Sequence, residues 1–521
     1  MAARVGLRQQ DVIEMGERSL GRAIPEEVKQ QIEGLYRELN IETLPNLITP
    51  DWINRSARGG HKHFFELLEC MAKGLVPEKP LLDVPPGALP PQVEEIFTKL
   101  DIRGVCVNIP EEARLNEYSI LGKVDLAAKA NLVDWAKSSL KLDRAMGSLC
   151  GMAIADATGH PFEFLDCQDT PGSTRFDRHT FKFYRESNAF GLKRGQWTDD
   201  ASMGLCMADS LIVRRGFDGG DMRARFWCWW NTGYCNAFRK DPDRSNSVGL
   251  GGNISQGLMM MSRLKPGEKP APAHSAKNED AGNGSIMRLT PVPLFFHAVP
   301  VDELYRVARD SSLTTHAGPA AAEACAFQAH LIRRALERPD GPVDAKEFLE
   351  TTSAEYMKTS GLESKSGWPY EHIKWLVTGK PPRKQERCWQ WREESPGLIE
   401  SMQARGSRYN GYPVSAGYFG SYALDGLGMA LWAVYHSTSF DETIEKSVNL
   451  LGDSDSHGSV AGQIAGALYG YKSIDKRFLD YLNQWDDHEC AVRAILLYEL
   501  GLLHNACGAK TGEGSEMLTE V

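Results

Sequence analysis

Apolar positions recur at helical spacing along most of this chain, and no core stretch alternates in the two-residue rhythm of a strand. Residues 25–40 put Val28, Ile32 and Leu35 on one face behind Pro25, Glu26 and Glu27, a helix-start signature. Further helices are predicted over 63–73, 93–100, 304–310, 320–337 and 424–435, with a small apolar run at 104–109. Between 77 and 91, Pro77, Pro80, Pro85, Pro86, Pro90 and Pro91 forbid regular helix or central strand and predict an extended linker or wrapping arm. The fold class read from this pattern is all-α and multi-helical.

Two predicted helices carry a stripe of small residues. Gly147, Gly151, Ala155 and Gly159 recur every four positions, and so do Gly458, Gly462, Gly466 and Gly470, with Val460, Ile464 and Leu468 beside them. Glycine inside a helix costs about 1 kcal/mol relative to alanine, so each stripe predicts another backbone in close approach. The organisation expected is an accessory, mainly helical segment at 1–139, a main domain at 140–505 and a flexible tail at 506–521. Residues 358–410, charged, Trp-bearing and Pro-interrupted, read as an insertion with its own local structure.

Composition narrows the classes. A 521-residue chain with 42% hydrophobic and 25% charged content is a folded globular protein. No apolar run reaches the length of a membrane span, and the opening MAARVGLRQQ lacks the apolar stretch of a signal peptide, so a cytoplasmic protein with no membrane partner is expected. Lys and Arg total 59 against 69 Asp and Glu, a net charge of −10, which argues against a nucleic-acid partner. The 11 cysteines form no CxxC pair and fit reduced core thiols.

Candidate chemistry lies in three acidic clusters. Thr198 is placed to cap a helix whose first turn holds Asp199 and Asp200; Asp453, Asp455 and Ser456 open the second glycine-striped helix; Glu163 follows the first one. Each alone reads equally as capping chemistry or a surface acid. Together, four aspartates and two hydroxyls at two helix starts offer hard oxygen ligands for two divalent ions, and would repel one another severely without them. Asn283, Gly284, Ser285, Ile286, Met287 and Arg288 form a loop whose amides and serine hydroxyl suit a phosphate, with Arg288 readable instead as a buried cation paired to an acid. Thr314, Thr315 and His316 read as a cap, a core group or a ligand. Gly417, Tyr418, Phe419, Gly420, Ser421 and Tyr422 suit stacking on a base or core packing.

The order of these motifs, WTDDASM, NGSIMRLTPVPL, TTHAG, GYFGSYALDGLGMALWAV and LGDSDSHGSVAGQIAGALYG after the helix end at Asp156 to Glu163, resembles the ADP-ribosylglycohydrolase family, which includes the dinitrogenase-reductase-activating glycohydrolase. The resemblance spans roughly residues 140 to 475. It implies an all-α orthogonal bundle with two Mg²⁺ or Mn²⁺ ions that hydrolyses the glycosidic bond of ADP-ribose conjugates. By matching motifs it implies Thr198, Asp199, Asp200, Asp453, Asp455 and Ser456 as metal ligands. Asn283, Gly284, Ser285 and Met287 match the diphosphate loop, while His316, Gly420, Ser421 and Tyr422 match ADP-ribose contacts. Glu163 matches the family's mobile glutamate, and Asp156 a structural aspartate. Ser456 stands where the family usually has threonine, retaining the hydroxyl, and Ala201 likewise replaces a threonine. Gly249 falls where arginine-specific relatives carry an aspartate, with Asp241 or Asp243 offered as substitutes.

The expectation is therefore a monomeric, metal-dependent hydrolase releasing ADP-ribose from modified protein side chains or related conjugates, with an acid among Glu163, Asp199, Asp200 and Asp455 handling the proton. Two alternatives stay open: a non-catalytic ADP-ribose-binding or structural protein that keeps the fold, and a two-metal phosphohydrolase.

Overall fold

The computed structural model describes residues 6–508 apart from 46, 77, 106, 108–114, 168–174, 183–188, 265–267, 275–280, 411 and 415–416. Among them the protein is all-α; its one sheet is the hairpin of Arg408–Tyr409 with Tyr412–Pro413. Half of the predicted run at 104–109 and all but the start of the 506–521 tail lie outside the described residues. No helix among the described residues is long and apolar enough to cross a membrane.

Two buried helices, Leu140–Gly159 and Ser454–Tyr469, form the axis of the molecule. They run antiparallel with their glycine stripes face to face. A Cβ on Gly147 would lie 2.3 Å from the carbonyl oxygen of Gly466, and one on Gly462 would lie 2.2 Å from that of Gly151. Backbones this close leave no room for a methyl group, which is why both helices accept the glycine penalty. The same packing brings the end of one helix to the start of the other: a Cβ on Gly159 would be 2.6 Å from the Asp455 Cα, and Ser454 Oγ donates to the Gly159 carbonyl at 2.8 Å. Gly462→Ala is expected to destabilise the protein by about 1–3 kcal/mol, the usual cost of overpacking, read as a lower urea midpoint with unchanged m-value.

The predicted helices are present as Glu26–Glu38, His61–Leu75, Pro91–Phe97, Val301–Leu313, Pro319–Glu337 and Ala423–Tyr435. The proline-rich stretch carries neither helix nor strand from 78 to 90 and wraps the end of Asp199–Arg214. There the Leu81 N–H donates to the Arg214 carbonyl at 2.8 Å, and the Arg215 Nη1 donates to the Leu82 carbonyl at 3.0 Å.

The N-terminal segment is also tied to the core by buried charge. Lys129 pairs with Glu489 at 2.7 Å, Ser119 Oγ donates to the same carboxylate at 2.6 Å, and Arg493 bridges Glu489 and Asp209. Burial pushes the Glu489 carboxyl up, but Arg493, Arg239 and Lys129 together outweigh it and hold it at about 2, against an ordinary 4.5. The folded pKa is thus below the unfolded one. The stabilisation is present in full above pH 4.5 and is expected to be lost as pH falls from there toward 2, seen as a decline in unfolding free energy over that window.

Candidate metal centre

Three segments converge where the two glycine-striped helices meet. The 3-10 turn His160–Phe162 delivers Glu163, and the Phe164 N–H donates to the Gly452 carbonyl at 2.9 Å, pinning this segment beside Asp453. Asp199–Arg214 contributes its first turn, and Ser454–Tyr469 its start. Two groups of three buried carboxylates result, each with ligand atoms within 4.8 Å of one another: Asp156, Asp200 and Asp455, and Glu163, Asp453 and Asp455. Asp455 belongs to both.

Burial drives the protonation equilibria here. It pushes Asp199, Asp200 and Asp455 well above the ordinary carboxylate range, and the neighbouring aspartates push them further. Glu163 is raised by burial and then by Asp455 and Asp453, and burial lifts Asp156 to about 7. Asp200 Oδ1 is buried without a hydrogen-bond partner. An orphaned carboxylate oxygen among clustered hard oxygen donors fits a divalent cation better than it fits a finished core.

Asp156 has a second task. It accepts from the Thr198 N–H at 2.9 Å, the Thr198 Oγ1 at 2.9 Å and the Ala201 N–H at 3.0 Å, so it caps Asp199–Arg214 from another helix. Thr198 therefore occupies the N-cap position without using its own side chain as the cap. Its oxygen lies 3.3 Å from Asp200 Oδ2. Asp199 and Ser456 line the cleft beside the two carboxylate groups.

Glu163, Asp199, Asp453 and Asp455 open into a cleft of about 430 Å³ that Asn283, Gly284, Met287, His316 and Ser421 also line, whereas Asp156 and Asp200 do not line it. Asn283 is a clamp: its Nδ2 donates to Asp453 Oδ2 at 2.9 Å and to the Gly420 carbonyl at 3.2 Å, while its N–H donates to the Ser421 carbonyl at 2.9 Å. Gly284 is required by space, since a Cβ would lie 2.7 Å from His316 Cε1. Burial holds His316 at about 3, helped by Arg288, so it is neutral and hydrogen-bonds without pairing charge. Its Nδ1 is 2.8 Å from Thr315 Oγ1, which also receives Arg288 Nη2 at 2.7 Å.

A model of the ADP-ribosylglycohydrolase family matches residues 137–506. The chain belongs to the ADP-ribosylglycohydrolase family. It is 27% identical over 350 residues to ADP-ribosylarginine hydrolase Tri1 of Pseudomonas putida (strain GB-1), covering 67% of this chain and 76% of that protein. It is 25% identical over 350 residues to ADP-ribosyl-[dinitrogen reductase] glycohydrolase of Rhodospirillum rubrum, covering 67% and 92%. Against ADP-ribosylhydrolase ARH3 of Homo sapiens it is 23% identical over 368 residues, covering 68% and 93%.

Within this member of the ADP-ribosylglycohydrolase family, several predicted residues stand back from the cleft. Ser285 Oγ accepts from Ser312 Oγ at 2.9 Å in the core. Gly420 lends its carbonyl to Asn283, and Tyr422 is buried with its hydroxyl 3.4 Å from Asn410 Nδ2. Arg288 is the buried structural cation of the two readings, held by Thr314 and Thr315 hydroxyls and by the Phe226 ring at 4.4 Å and not by an acid. Asp241 and Asp243 are corrected: Asp241 accepts from Lys193 Nζ at 2.9 Å and Gln196 Nε2 at 2.8 Å, the Asp243 side chain is 81% exposed, and neither lines the cleft. Gly249 does line it, at φ +89°, and a Cβ there would fall 1.9 Å from Asp199 Oδ1. The loop as folded excludes any side chain at 249.

Two sets of residues escaped the sequence reading. Phe164 and Phe190 join Tyr418, already singled out for stacking, in an aromatic wall beside Glu163, with Phe164 stacked on Tyr418 at 5.5 Å and itself 56% exposed. Gln463, Gln328 and Ser459 hold the loop from beneath: the Ile286 carbonyl accepts from both glutamines, and the Met287 carbonyl accepts from Ser459 Oγ at 2.8 Å. Polar side chains on otherwise apolar helix faces were the available signal for the second set. The wall joins positions too far apart in sequence to leave one.

Proposed function

We propose that the protein is a metal-dependent hydrolase that cleaves the glycosidic bond of ADP-ribose conjugates and releases ADP-ribose. The observation that carries this reading is the pair of buried carboxylate groups that share Asp455, a residue that itself lines the cleft. Asp156, Asp200, Asp453, Asp455 and Glu163, with Asp199, Thr198 and Ser456 at the margin, are the residues that would hold two Mg²⁺ or Mn²⁺ ions. When bound, such ions supply Lewis-acid polarisation of ribose oxygens and activation of water.

The chain's own groups do the rest. Asn283, Gly284 and Met287 present the backbone that binds the diphosphate, kept open by the absence of a Cβ at 284. Neutral His316 orients the ribose side by a hydrogen bond, and Ser421 closes the opposite wall. Glu163 belongs to the second carboxylate group and lies beside the aromatic wall; with cations offsetting the neighbouring aspartates it would be ionised, a carboxylate placed to handle the proton of the attacking water. Phe164, Phe190 and Tyr418 exclude water from that side.

Four acceptor classes fall within this reading: arginine, serine, polymer ends and small molecules. The protein is read as a monomer acting in the cytoplasm. Product analysis tests the reaction. Free ADP-ribose with an intact acceptor is the expected pair, whereas AMP with ribose phosphate would assign scissile phosphate to the metals and reject glycosidic cleavage. Stabilisation by ADP-ribose without any product would favour the binding-protein alternative.

A further inference from the structure

One buried cation outside the cleft is wired to its acids. Arg405, at the end of the helix Leu398–Arg405, is 8% exposed. Its Nη1 and Nη2 donate to the two oxygens of Asp425 at 2.5 and 2.8 Å, and its Nε donates to the Gln385 carbonyl at 2.7 Å. Asp425 lies in the first turn of Ala423–Tyr435 and also accepts from Trp389 Nε1 at 2.8 Å. The guanidinium lies over the ring of Tyr409 at 3.9 Å and that of Phe419 at 5.0 Å. Such a planar fork with a ring on its face fixes the position of what it touches, which a flexible ammonium does not.

What it touches leads to the acids in two backbone steps. The Phe419 carbonyl accepts the Asp453 N–H at 2.9 Å, and the next carbonyl, of Gly420, accepts Asn283 Nδ2 at 3.2 Å. That same amide holds Asp453 Oδ2. There is no slack in the joint: a Cβ on Gly452 would lie 2.3 Å from the Phe419 oxygen. A parallel contact runs from Asn410 Nδ2 to the Tyr422 hydroxyl at 3.4 Å, with the Tyr409 ring edge-on to Tyr422 at 6.0 Å.

We propose that Arg405 is a positioning residue: through Phe419 and Gly420 it fixes the Asp453 carboxylate, so that the segment read from sequence as an insertion serves as a brace for the carboxylate centre. The inference rests on the metal-centre reading above. Groups that hydrogen-bond a metal ligand typically change metal affinity by about 10–100-fold when removed; Arg405 stands one contact further out, at the Phe419 ring, so the low end of that range applies.

The test is titration of the metal-free protein with Mn²⁺ followed by electron paramagnetic resonance, together with amide exchange at Asp453, for wild type, Arg405→Met, Arg405→Lys and Lys129→Met. Arg405→Met is expected to weaken Mn²⁺ binding by about tenfold or more and to speed Asp453 exchange, with Arg405→Lys between it and wild type because the charge stays and the fork is lost. Lys129→Met breaks a buried ion pair elsewhere and is expected to leave Mn²⁺ affinity within about twofold, as distant sites do. Unchanged affinity and exchange in folded Arg405→Met would overturn the inference, as would equal weakening in Lys129→Met. If Arg405→Met does not fold, Arg405→Lys decides by the same two readouts. A wild type that binds no Mn²⁺ would overturn the metal centre and this inference together, which separates the two failures.

Discussion

Replacing Asp455 by asparagine is expected to lower kcat by about 10²–10⁴-fold at saturating Mg²⁺ with the helices intact. Asp455 is the one residue shared by both carboxylate groups, so a neutral amide there removes a ligand charge from each at once. It makes few structural bonds of its own beyond the local one from the Ser456 N–H at 3.0 Å. Asp156→Asn is the informative comparison. That carboxylate also caps Asp199–Arg214 through Thr198 and Ala201, so its loss is expected to lower the melting temperature as well as turnover. Steady-state kinetics beside thermal melts separate the two. Full activity in Asp455→Asn would remove the shared carboxylate from the mechanism.

Chelation is expected to have the largest effect on stability. Asp199, Asp200 and Asp455 are buried side by side, where desolvation and mutual repulsion both oppose ionisation, and Asp200 Oδ1 has no hydrogen-bond partner. Cations that neutralise this charge bind the folded state alone. Each site at 100-fold excess over its dissociation constant adds about 2.7 kcal/mol. EDTA is therefore expected to lower the melting temperature by several degrees and excess Mg²⁺ to restore it, with a smaller EDTA effect in Asp200→Asn because less charge is left uncompensated. A melting temperature indifferent to EDTA and Mg²⁺ would contradict the metal centre.

The helical architecture was legible because it is written in local spacing. Gly147 and Gly151 face Gly466 and Gly462 as the four-residue stripes required, and the antiparallel pairing explains why acids from both helix ends meet. The site was half legible. Consecutive aspartates at a helix start cannot reveal that Thr198 leaves its capping role to Asp156, because the acceptor comes from 42 residues away in another helix. The same limit hid Phe164 and Phe190 as partners of Tyr418, because the three rings come from distant stretches of the chain. Of the two readings open for Arg288, the buried structural cation is the one found, but its partners were not legible: two threonine hydroxyls and the Phe226 ring hold it in place of an acid. Gly249 lines the cleft, and nothing in the spacing along the chain shows that a side chain there would collide with Asp199.

The ADP-ribosylglycohydrolase fold and the crowded carboxylates make one claim together: bound divalent ions let this cleft release ADP-ribose. The most direct measurement incubates the protein with arginine-, serine- and polymer-linked ADP-ribose, each with Mg²⁺ and with EDTA, and follows free ADP-ribose by mass spectrometry. Release from at least one conjugate with Mg²⁺ and none with EDTA is the predicted result. Silence on every conjugate, or release that EDTA leaves untouched, would contradict the account.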